Sequence, residues 1–122
     1  MGSAKVVTVL DNDVVLTASA ADHDSSVLDL QDGYGGSMDI KITNGATGPT
    51  VGAQAQVQTS PDNTHWYKAG GALGAALGSA VVSSWGDIPI PFGAKYLKVT
   101  SGSNTVQDVT IRVEATEVTA IS

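Results

Sequence analysis

The 122-residue chain contains no cysteine. That excludes disulfides, thiolate nucleophiles and cysteine-ligated metals. Charge is also scarce: 15% of the residues are Asp, Glu, Lys or Arg, against about 25% in an ordinary globular domain. Basic residues are the scarcest part, with five Lys, a single Arg, no basic run and a net charge of −6. Binding a phosphate backbone needs clustered Lys and Arg, so nucleic acid is not expected as a partner. Long apolar runs are missing too. The least polar stretch, Ala69 to Ser84, is rich in Gly, Ala and Ser, and is too short and too poor in large side chains to span a bilayer. Met1 to Lys5 is not followed by the apolar stretch and small-residue cleavage site of a signal peptide. The expectation is a chain made in a cytosol that stays soluble and has no membrane partner.

What is present points to strands. Asp outnumbers Glu ten to two, and Asp favours turns where Glu favours helices. Met38, Ile40 and Ile42 alternate with Asp39, Lys41 and Thr43. Ala53, Ala55 and Val57 alternate with Gln54, Gln56 and Gln58. Val109, Ile111, Val113 and Ala115 alternate with Thr110, Arg112 and Glu114. Each run sets one face into a core and the other into water, as in antiparallel sheets covered on one side. Further strands are expected at Lys5 to Val9, Val14 to Ala18, Ser26 to Leu30, His65 to Lys68, Val81 to Trp85 and Lys95 to Thr100. Asp11-Asn12-Asp13, Asn44-Gly45, Ser60-Pro61-Asp62-Asn63 and Ser101-Gly102-Ser103-Asn104 read as turns, the last closing a final hairpin. Ala69 to Ser79 has Ala and Leu that favour a helix, but each Gly costs about 1 kcal/mol against Ala. It is expected to be a mobile loop with at most one helical turn. The pattern predicts an all-β chain, an antiparallel β-sandwich or jelly roll, forming one domain over residues 1–122.

Catalytic equipment is thin. His23 and His65 are the only histidines, each on or beside an expected turn, and neither has an evident acid–base partner in the sequence. Asp22-His23-Asp24 reads as a solvated loop. Asp11-Asn12-Asp13 opens like a calcium-binding EF-hand loop but has Leu16 at the sixth position and Asp22 at the twelfth, in place of Gly and Glu. Gly33-Tyr34-Gly35-Gly36-Ser37 resembles a phosphate-binding loop, yet it leads into a strand rather than a helix. No Gly-x-Ser-x-Gly elbow exists. No catalytic residue, metal ligand or cofactor site is assigned, and the chain is not expected to be an enzyme. Of the six aromatics, Trp66 and Tyr67 are neighbours on one expected strand, and an exposed aromatic pair there, or Trp85, could stack on a sugar.

Two stretches carry a resemblance. Gln54 to Tyr67 reads as a strand, a Ser-Pro-Asp turn and a short strand opening with an aromatic, in the pattern S-x-D-x-x-x-W from Ser60 to Trp66. Lys95-Tyr96-Leu97-Lys98-Val99 follows as a K-Y-x-K-V strand, before a closing strand from Val106 to Val118. Over about the C-terminal two-thirds, the chain resembles small structural proteins encoded near the major capsid protein of tailed phages. That resemblance implies a β-sandwich or jelly-roll protein that decorates or cements the outside of a capsid. It implies as partner the major capsid protein or another virion protein, and a homo-oligomer, with a trimer favoured. A tail or head–tail connector component and a carbohydrate-binding β-sandwich module remain alternatives. The residues expected at a partner contact are Lys5, Val6 and Val7 on the first strand, with Trp66, Tyr67 and Trp85.

Overall fold

A computed structural model describes residues 4–30, 35–90 and 94–120. Residues 31–34 of the Gly-rich loop, including Gly33 and Tyr34, and Phe92 lie outside the described residues. The described residues form ten strands and no helix: β1 (Ala4–Leu16), β2 (His23–Asp24), β3 (Leu28–Asp29), β4 (Gly36–Asn44), β5 (Gln54–Ser60), β6 (Tyr67–Lys68), β7 (Leu73–Gly74), β8 (Val82–Pro89), β9 (Tyr96–Gly102) and β10 (Val109–Ala120).

All pairings are antiparallel and fall into two sheets. Sheet A has the order β1-β10-β4-β8. Sheet B has the order β2-β9-β5-β6, with β3 also on β9 and β7 also on β5. Ser25 joins β2 to β3 along β9, its backbone N–H donating to Val99 O at 2.9 Å and its hydroxyl accepting from Val99 N at 2.9 Å. Ala69 N and Ala75 N donate to Val57 O and Ala53 O and join β6 to β7 along β5 in the same way. With each of these pairs taken as one interrupted strand, the pairing is nested: β1 with β10, β2/β3 with β9, β4 with β8, and β5 with β6/β7. One long hairpin rolled onto itself pairs in this manner, and the result is an eight-stranded jelly roll.

The alternation seen in the sequence places the core. Met38, Ile40 and Ile42 on β4 and Val109, Ile111, Val113 and Ala115 on β10 face Ala55 and Val57 on β5 and Leu97 and Val99 on β9, all buried. Their intervening neighbours on β4, β5 and β10 point to water, which is why register is well defined: a one-residue slip would turn the buried set outward.

Two turn expectations are corrected, and the Gly/Ala-rich loop is found tied to its neighbours. Asp11-Asn12-Asp13 is not a turn between two strands. β1 runs through it, with register shifts between Val9 and Asp11 and between Asp11 and Val14. Each shift inserts one extra residue, and Asp13 takes φ 51°, so the sequence signal of a turn marks a bulged edge strand. Ser101-Gly102-Ser103-Asn104 closes no hairpin, because β9 and β10 lie in different sheets and Gly102 pairs with Gln54. Buried Asn104 holds this crossing, donating from Nδ2 to Leu16 O and Gln107 O at 3.0 Å each. The Gly/Ala-rich segment forms no helical turn. Leu73 and Gly74 pair with Ala55 and Gln54, and buried Asn44 donates from Nδ2 to Ala76 O and Gly78 O at 2.8 and 2.9 Å. Gly48, at φ +71°, lies so close to this segment that a Cβ there would stand 2.5 Å from Gly78 C.

Candidate functional site

The S-x-D-x-x-x-W stretch folds as a turn organised by one carboxylate. Asp62 Oδ1 accepts from Thr64 N at 2.9 Å and His65 N at 2.8 Å. Ser60 Oγ accepts from Asp62 N at 3.2 Å. These are the local side-chain-to-backbone bonds that Asp and Ser offer in turns. Donation from the His65 backbone N–H, then from the His65 ring and Thr64 N, holds the Asp62 carboxyl well below the usual carboxylate range. The turn delivers Trp66 over the side chain of Lys98, whose Nζ stands 4.5 Å from the ring centroid, within reach of a cation–π attraction.

Lys98 comes from the K-Y-x-K-V strand. The β5–β9 ladder pairs Ser60 with Tyr96 and Gln58 with Lys98, so the two sequence motifs meet on the outer face of sheet B. From Lys98 a polar network crosses that face. Lys98 Nζ lies 3.1 Å from Asp24 Oδ2. Thr100 Oγ1 donates to Asp24 Oδ1 at 2.7 Å and accepts from Gln58 Nε2 at 2.8 Å. The Thr100 hydroxyl first, with Lys98 helping, draws the Asp24 carboxyl below its ordinary value. Gln56 Nε2 donates to Val57 O at 2.9 Å and Gly70 O at 3.1 Å. Beside these groups lies a shallow trough of about 180 Å³, floored by Gln54, Gln56, Gln58 and Thr100 and flanked by Asp22 and Lys68.

The second candidate surface is the β1 edge. Lys5, Val6 and Val7 are all exposed, with Val7 at 59%. The register sets Lys5, Val7 and Val9 beside Val118, Thr116 and Glu114 of β10, and Val9 and Val15 are exposed as well. Further along, Arg112 Nε lies 2.5 Å from Glu114 Oε1, and its Nη1 donates to Asn12 Oδ1 at 2.7 Å and Asp13 Oδ2 at 3.2 Å. This binds the β1 bulge to β10. Residues 5–9 are themselves part of the sandwich, laddered to β10 from Val118 to Glu114.

The six residues expected at a partner contact do not converge. Lys5, Val6 and Val7 stand on one edge of sheet A, and Trp85, on β8, on the opposite edge, paired with Ile40 and packed against the core. Trp66 lies on the outer face of sheet B. Tyr67 pairs with Thr59 at that sheet's edge and is 60% exposed.

Both histidines have carboxylate partners that sequence reasoning missed. His65 Nδ1 lies 2.6 Å from Asp62 Oδ2 at the surface. His23 is not in a solvated loop: its Nε2 lies 2.7 Å from Oδ1 of buried Asp11, joining sheet B to sheet A. Asp11 Oδ2 is buried with no partner. Burial raises the Asp11 carboxyl, and His23 pulls it back down. Twelve residues separate the two, and only the β1 bulge turns Asp11 inward. Spacing gave no signal of this, whereas the repeated Gln of β5 did mark the polar face. Among the described residues no group of three or more His, Asp or Glu is placed to hold a metal ion.

No protein-family model and no curated protein sequence matches the chain. Solved structures match the fold. The PBSX exported protein XepA superposes with a TM-score of 0.57 at 13% identity, over 96% of this chain and 38% of that one. Latent PorU from Porphyromonas gingivalis gives 0.56 at 9% identity, over 96% and 13%. A chain in the structure of infectious bursal disease virus, Gt strain, gives 0.55 at 7% identity, over 97% and 33%. The chain thus spans about a third of the length of two of these proteins and less of the third. At such identities the likeness is one of fold.

Proposed function

We propose that the chain is a non-enzymatic virion structural protein that binds the outside of a phage capsid and stabilises it. The observation that carries this reading is the union of the two motifs behind the resemblance. The Asp62 turn and the K-Y-x-K-V strand form one unit, Trp66 resting on Lys98, so the sequence likeness corresponds to a built piece of structure. The jelly roll supports it, as an architecture used in viral shells, and so does the similarity to a chain of a virus particle. The exposed valines of β1 supply an apolar face suited to lying against another protein.

In this reading the partner is the major capsid protein, the site is the capsid surface, and synthesis takes place in the host cytoplasm. A homotrimer would engage neighbouring capsomers together, turning weak single contacts into firm attachment. The test is co-sedimentation of the purified chain with empty mature phage shells, with electron microscopy of the decorated particles. Wild-type chain should pellet with shells and label their outer surface, and Val7→Asp should weaken this. Absence of binding, or binding confined to tails, would refute capsid decoration.

A further inference from the structure

We infer that the outer face of sheet B is a carbohydrate-binding trough that takes a neutral oligosaccharide chain. This goes beyond the capsid role and does not depend on it.

Gln54, Gln56 and Gln58 project from alternate positions of β5, about 6.8 Å apart, with Thr100 beside them on β9. Two of the three amides are already oriented. Gln58 is fixed through Thr100 to Asp24, and Gln56 by the carbonyls of Val57 and Gly70. A side-chain amide has two donors and a carbonyl acceptor. These bonds use Nε2 of Gln56 and Gln58 and leave both carbonyl oxygens available, while Gln54 is exposed. A sugar hydroxyl both donates and accepts, so a row of oriented amides suits it. Fixing them in advance lowers the entropy lost on binding.

The same face disfavours other ligands. The trough is lined by one carboxylate, Asp22, and one cation, Lys68, short of the clustered Lys and Arg that a phosphate chain needs, and the chain carries −6 overall. The floor between β5 and β9 is interior to its sheet, where the ladder already occupies the backbone groups, so a peptide could not add as a strand. No large apolar side chain lines the trough for an apolar peptide to cover. A volume of about 180 Å³ is below the ~300–1,000 Å³ of pockets that enclose a ligand. The trough therefore grips one or two units of a passing chain.

The test is affinity electrophoresis of the purified chain in native gels containing dextran, mannan or mixed-linkage β-glucan, with anionic alginate alongside. Retardation is expected in at least one neutral gel and not in alginate. Gln54→Ala together with Gln58→Ala should weaken that retardation about tenfold, 1.4 kcal/mol, with the melting temperature unchanged. Val7→Asp, which addresses the capsid reading, should leave it intact. Gln54→Ala alone removes an exposed group, so it keeps the test decisive if the double variant loses its fold. Migration unaltered in every neutral gel, retardation in alginate alone, or retardation indifferent to both Gln variants would overturn the proposal.

Discussion

Replacing His23 by Ala should destabilise the fold far more than a partly exposed surface substitution would. Asp11 is 3% exposed, one of its oxygens has no partner, and the other faces His23 Nε2 at 2.7 Å. Without His23 a buried acceptor loses its donor, which costs about 1–3 kcal/mol for a neutral group and more for a carboxylate. His23 itself is about a third exposed, its side chain at 34%, so water can enter the space it leaves. That reduces the expected loss to about 2–3 kcal/mol. In a domain of this size each kcal/mol moves the melting temperature by about 3–5 °C, so a fall of about 10 °C is expected by calorimetry or circular dichroism. The cost should be greatest at neutral pH. Burial raises the Asp11 carboxyl and His23 lowers it; without His23 the ionised form is penalised further, and the penalty disappears in acid where Asp11 is neutral. A double-mutant cycle with Asp11→Asn isolates the pair, with a coupling of at least about 1 kcal/mol expected. A loss below about 0.5 kcal/mol for His23→Ala, or simple additivity in the cycle, would show that the Asp11–His23 pair does not hold the sheets together.

Glu117→Gln should raise the melting temperature at pH 7. Burial, with Asp29 nearby, lifts the Glu117 carboxyl, so its favourable contribution is complete below its unfolded pKa and is lost as pH rises through the folded one. The gain should vanish near pH 3.5, and equal gains at both pH values would count against burial as the cause. Asp62→Ala removes the acceptor of two backbone N–H groups under Trp66, so tryptophan emission should shift to the red; an unchanged spectrum would mean the turn holds without it. Ile111→Ala, at a fully buried site between the sheets, should cost about 2–5 kcal/mol in denaturant unfolding, and a loss under about 1 kcal/mol would imply that the core closes around the gap. Gly36→Ala would place a Cβ 2.0 Å from Thr116 O and should loosen the β4–β10 ladder, read as faster amide exchange at Glu117 and Val118.

Strands with strict alternation were legible because burial on one face imposes a period of two, and β4, β5 and β10 follow their alternating runs closely. The interrupted edge strands were harder. β2, β3, β6 and β7 have two residues each, too short for periodicity, and are defined by the long strand they lie against. The DND stretch of β1 has the composition of a turn, and only the partner strand β10 makes it a bulge. The polar trough was half visible. Its alternating Gln residues stand out in the sequence, but Thr100 joins them from β9, held by Asp24 of β2, which no local pattern announces. How Lys5, Val6, Val7, Trp66, Tyr67 and Trp85 are distributed was not legible, because position along the chain says nothing about which of two sheets, or which edge, a strand occupies.

The outermost rung of the β1–β10 ladder sets Ala4 opposite Ala120. A polypeptide entering this domain therefore leaves it at the same doorway. Such a module can be seated in the loop of a larger host protein, which need only open a gap the width of two neighbouring strands. Joining those ends by a short linker and opening the chain at the exposed Pro61–Thr64 bend should yield a circular permutant of the same architecture, a re-threaded version in which β1 and β10 become a covalent hairpin.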